Sequence, residues 1–147
     1  MIDNAVIEDF NKNKKEISSF CDGIQREIAI EMWDYVRKHL YELHDMLTDE
    51  EIDSGEIDYA YDALERIKED FSEEFRKKTG VKIDWRNYCV LCHKFSCVSI
   101  HTCPLGSCDY RSDNPYYTVV KYALHKTTYE QACESIDFII KKILEAL

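Results

Sequence analysis

Between Cys89 and Cys108 the chain sets five cysteines and two histidines in twenty positions, and no other feature constrains its folding as strongly. Thiols this crowded share a metal ion, cross-link, or lie buried and inert. Cys89 and Cys92 have the two-residue spacing of a tight turn that aims both sulfurs at one ion. Cys103 and Cys108 enclose Pro104 and Gly106, residues that favour a second turn. Four thiolates around zinc form a closed tetrahedral site, structural in role, with no open position for a substrate. The predicted ligands are therefore Cys89, Cys92, Cys103 and Cys108 around a structural Zn²⁺, with Cys97 and His101 each able to replace one member. An iron–sulfur cluster is the alternative, because thiolate softness suits both. A redox dithiol at Cys89 and Cys92 fits less well, since the neighbouring thiols argue for ligation. Zinc binding in small modules supplies about 10–16 kcal/mol, more than the net stability of most domains.

Redox setting bears on that reading. The amino terminus, Met1-Ile2-Asp3-Asn4-Ala5-Val6-Ile7-Glu8, carries no basic stretch followed by an apolar run. The expectation is a cytoplasmic chain with no membrane partner, where cysteines serve as metal ligands or buried thiols rather than disulfides. Seven cysteines is also an odd number for a complete disulfide framework. Cys21 and Cys133, outside the cluster, are expected to be buried and unreactive.

The run Cys89-Val-Leu-Cys92, then Cys103-Pro104-Leu105, Cys108 and Asn114-Pro115-Tyr116, resembles small cysteine-cluster proteins of bacteriophages and prophages. The likeness covers residues 88 to 117 and the helix that trails them. In that pattern a cysteine commonly stands three residues before the Cys-Pro pair; here Ile100 occupies the place, with Cys97 and His101 on either side. The resemblance implies a phage accessory role in a host cytoplasm and supplies no activity.

Outside the cluster the pattern is helical. Four glycines and two prolines in 147 residues leave few breaks for a sheet-rich fold. A first helix is expected over about Asp3–Ser18. From Ile24 to Leu47 the apolar residues Ile28, Met32, Val36, Leu40 or His39, Leu43 and Leu47 recur at steps of three and four, after an N-cap at Asp22. Thr48–Gly55 interrupts the pattern, and Asp53 with Glu56 has the form of a capping box opening a second long helix to Thr79. Its stripe is Ile57, Ala60, Leu64, Ile67, Phe71 and Phe75; Lys77, Lys78 and Gly80 suit its end. Two such helices predict a long antiparallel hairpin. Val81–Trp85 alternates like a short strand. Pro115 starts a helix capped by Asp113 or Asn114 and running to about His125, and Thr128 with Gln131 forms a capping box for a last helix carrying Tyr129, Ala132, Ile136, Ile140, Ile143 and Leu147. The fold class is thus mainly α: one domain over 1–147, with an acidic helical part at 1–80, a zinc-knuckle insertion at 81–114 and two closing helices at 115–147.

Charge narrows the function. Residues 1–80 carry 22 acids against 11 bases, while 81–147 carry 7 against 8. Such a balance repels a phosphate backbone, so direct nucleic-acid binding is disfavoured. No glycine-rich phosphate loop is present. His39 and His44 lack the four-residue spacing of a helical metal pair. Asp49, Glu51, Asp53 and Gly55 miss the calcium-loop register. Cys97 with His101 or His125 is indistinguishable from metal ligation as a catalytic pair. The predicted role is non-enzymatic binding of a protein partner. The alternatives are an acidic inhibitor that imitates nucleic acid and blocks a host defence nuclease, and a small enzyme or binder acting on a nucleotide.

Overall fold

The computed structural model describes Ala5, Glu8, residues 22–83 and residues 114–146. The described chain is mainly helical. Its elements are α1 (Asp22–Lys38), α2 (Glu42–Met46), α3 (Asp49–Ser54), α4 (Ile57–Thr79), α5 (Pro115–Tyr122) and α6 (Tyr129–Ala146). Ala5 and Glu8, which fall within the expected first helix, are helical; the rest of that segment lies outside the described residues.

Most members of the apolar stripes predicted from the sequence belong to the core, while Ile57, Tyr129 and Ile140 are partly buried against it and Leu147 lies outside the described residues. Ile28, Met32, Val36, Leu40 and Leu43 are buried on one side, and Ala60, Leu64, Ile67, Phe71 and Phe75 on α4 face them. Trp33, Ala63, Val119, Val120 and Ile139 are among the core residues outside those stripes. α6 packs on α5 and α1, while α4 packs on α1, α2 and α5. Arg37 at the end of α1 ties to α6 by an ion pair with Asp137.

The helix expected over 24–47 is broken. Around His39–His44 the amides reach back three residues instead of four, from Leu40 to Arg37, Glu42 to His39, Leu43 to Leu40 and His44 to Tyr41, at 3.0–3.4 Å. This tightening to 3₁₀ geometry turns the chain while keeping Leu40 and Leu43 fully buried. A three-and-four apolar pattern accommodates either backbone, so it could not reveal the break.

The expected Asp53–Glu56 capping box is also replaced. Thr48 and Glu51 form the box instead: Glu51 N donates to Thr48 Oγ1 at 3.1 Å and Thr48 N donates to Glu51 Oε1 at 3.0 Å. It opens the short helix α3, which ends at Gly55 with φ of 67°. Glu56 caps α4 without a side-chain bond; its amide donates to Ser54 Oγ at 3.2 Å. Thr48 with Glu51 has the threonine-to-glutamate form of the motif, which Asp53 lacks.

Of the other boundaries, Asp22, the expected cap, is itself helical, and α5 ends at Tyr122 rather than about His125; the rest agree with expectation. Gly80, at φ 76°, closes α4 after Arg76, Lys77 and Lys78. Asn114 Oδ1 accepts from Tyr116 N at 2.9 Å, with Pro115 in the first turn of α5. Thr128 and Gln131 exchange both bonds of their box at 2.9 and 3.1 Å. Of the expected strand, exposed Lys82 stands between buried Val81 and Ile83, and Asp84 and Trp85 lie outside the described residues. No described helix is long and apolar enough to cross a membrane.

Candidate functional site

The predicted ligands Cys89, Cys92, Cys103 and Cys108, with Cys97 and His101, all lie outside the described residues. Among the described residues no three His, Cys, Asp or Glu side chains gather to hold a metal ion. Ile83 and Asn114, the described residues on either side of the cysteine segment in sequence, are both buried.

Just past Asn114 sits a buried polar cluster. Glu65 and Lys68, one turn apart on α4, are each about 5% exposed. Lys68 Nζ donates to Glu65 Oε1 at 3.1 Å, and Tyr116 Oη donates to the same oxygen at 2.8 Å. Lys68 also lies 3.3 Å from Tyr116 Oη and 5.1 Å from the centre of its ring. Trp33 meets Tyr116 edge-on at 5.8 Å, and Tyr61 stands 6.0 Å away. Glu65 Oε2 has no hydrogen-bond partner among the described residues. Burial, reinforced by the Glu65 carboxylate, pushes the Tyr61 phenol up to about 12. A phenol that holds its proton this firmly stays neutral near pH 7, and the bonds of Tyr116 Oη to Glu65 and Lys68 fasten α5 to α4.

A second cluster joins α2 to the turn after α5. The rings of His44 and His125 stack at 3.9 Å and 25°. His44 Nε2 donates to the Tyr122 carbonyl at 2.8 Å, and its ring lies 4.2 Å from that of Tyr122. Tyr41 stacks on Tyr129 at 4.6 Å. His44 therefore serves a tertiary contact rather than facing water as an isolated surface side chain. Cys133 is half-buried, not fully buried as expected; its thiol, hydrogen-bonded to Tyr129, raises the Tyr129 phenol, with burial a smaller contribution.

The surface feature that stands out is acidic. From residue 39 to residue 65 the chain contains ten Asp and Glu and no Lys or Arg. Eight of those acids are exposed: Glu42, Asp45, Asp49, Glu50, Asp53, Glu56, Asp58 and Asp62. They occupy α2, α3 and the opening turns of α4, so the charge asymmetry of the chain concentrates at one stretch of connected helices. One cation from elsewhere enters it: Lys126 Nζ donates to the Gly55 carbonyl at 3.4 Å. The imbalance between the two halves of the sequence pointed to this surface, but not to its focus on the segment between the long helices. Compared with protein-family models, with curated proteins and with solved structures, the chain matches none.

Proposed function

We propose that this chain is a non-enzymatic, zinc-stabilised protein-binding module, a phage or prophage accessory protein whose acidic end docks on a basic surface of a host protein. The observation that carries this reading is the run of eight exposed carboxylates with no Lys or Arg in residues 39–65. Like charges held together on a folded surface repel one another, and a complementary basic partner relieves that repulsion while speeding encounter.

Two finer features belong to the same reading. α1 and α4 form an antiparallel hairpin: Tyr35 meets Phe71 at 5.7 Å, and the earlier Glu31 feels the later Lys78, whereas Tyr35 feels Asp70 and Glu74. Zinc is held by Cys89, Cys92, Cys103 and Cys108, a donor set whose softness and number suit a closed structural site. The ion would neutralise the thiolates and link the four cysteines to one another.

The test is capture of partners from host extract at low salt by the wild-type chain and by an Asp53→Lys, Glu56→Lys, Asp62→Lys variant. The expected result is a protein partner that the variant loses by about tenfold or more and that high salt releases. Equal capture by both chains would contradict the acidic docking surface. Competition of DNA for the same partner would favour the second reading, an inhibitor that imitates nucleic acid.

A further inference from the structure

We infer that the stacked His44–His125 pair is a proton-responsive clasp that holds the turn after α5 against α2 when neutral and releases it when both rings are charged.

The turn is built for His125 to sit where it does. Lys126 N donates to Lys121 O and His125 N donates to Tyr122 O, both at 3.1 Å, the two bonds that close a helix with its penultimate residue in the left-handed region. His125 occupies that place at φ 58°, where Gly55 and Gly80 stand at the ends of α3 and α4. A glycine or asparagine would fit this backbone with less strain. Histidine brings what they lack, a ring laid over His44.

On the other side His44 is fixed by its bond to the Tyr122 carbonyl. A carbonyl only accepts, so Nε2 carries the proton in the neutral ring and protonation falls on Nδ1. With one ring charged, the stack is a cation over an aromatic face. With both charged, two positive rings lie 3.9 Å apart. Neither ring has a carboxylate within ion-pair distance among the described residues. The ionisable groups around the pair are Tyr122 on α5, Tyr41, Glu42 and Asp45 on or beside α2, Lys121 and Lys126 flanking His125, and Tyr129 at the start of α6. The turn is also held by Ala123 and Leu124, both buried in the core, by Lys126 to the Gly55 carbonyl and by Thr127 Oγ1 to the Thr118 carbonyl at 2.8 Å.

A double-mutant cycle isolates that contact from the surrounding field. His44→Gln keeps a donor for the Tyr122 carbonyl, and His125→Asn keeps a residue tolerant of the left-handed region. Unfolding of the wild type, both single variants and the double variant is measured in urea at about pH 8 and about pH 5, which bracket ordinary histidine titration. The coupling between the two positions should become less favourable at the lower pH by about fivefold in the unfolding constant, the effect of two unit charges some 4 Å apart in water. Amide exchange on the wild type gives a variant-free check: corrected for intrinsic rates, protection at residues 123–128 should fall at the lower pH relative to α6. A coupling that is the same at both pH values, or protection in the turn that tracks α6, overturns the clasp.

Discussion

At the scale of single residues, the Glu65–Lys68 pair carries the sharpest expectation. Taking two charges out of water costs more than their attraction returns unless other bonds complete the site, and among the described residues Glu65 Oε2 has no such bond. Lys68→Met alone should destabilise the chain by about 3–5 kcal/mol in urea unfolding, because it leaves a buried carboxylate without its counter-charge. Glu65→Leu combined with Lys68→Met should come close to wild-type stability. Tyr61 gives a pH signature in the same cluster. An unfolded tyrosine ionises near 10, whereas Tyr61 in the fold does so near 12. The folded chain keeps that proton where the unfolded chain has lost it, so the contribution is complete below about pH 10 and disappears as pH rises through about 12. A phenolate absorbance titration should show a late-ionising tyrosine that Tyr61→Phe removes. Neither Glu65 nor Lys68 could be read from the sequence as buried, since charged residues at helical spacing ordinarily face water. Their burial depends on Tyr116, some fifty positions away, arriving with a hydroxyl.

At the scale of elements, the caps are where sequence and structure meet most closely. Thr128 with Gln131, Asn114 with Pro115, and Gly80 after Lys77 and Lys78 were legible because each motif supplies the missing partner of a helix end within a few residues. Thr48→Ala should remove one such partner and cost about 1 kcal/mol by thermal or urea unfolding. Asp53→Ala should cost less, since Asp53 is exposed within α3 and caps nothing. The break between α1 and α2 was not legible. Val36, Leu40 and Leu43 stay buried through it, so the apolar pattern continues while the backbone changes its hydrogen-bond step from four to three. The stacking of His44 on His125 was equally hidden, because it pairs residues 81 positions apart that meet only once α5 has turned back on α2.

At the scale of the whole molecule, the described helices share one apolar core and expose eight carboxylates between residues 42 and 62, and the described residues that flank the cysteine segment, Ile83 and Asn114, are buried. Leu64, fully buried on α4, faces the core, and Leu64→Ala should cost about 2–5 kcal/mol. The acidic surface could be inferred from the charge balance of residues 1–80, although its focus in residues 39–65 required knowing which acids stay exposed. The proposed metal centre rests on spacing and donor chemistry. It is tested most directly by the zinc content of the reduced protein, compared with that of a Cys89→Ser, Cys92→Ser variant. One zinc ion per chain in the wild type, lost in the variant, is the expected result; a reduced wild-type chain that holds no zinc, or a variant that keeps it, would contradict the site.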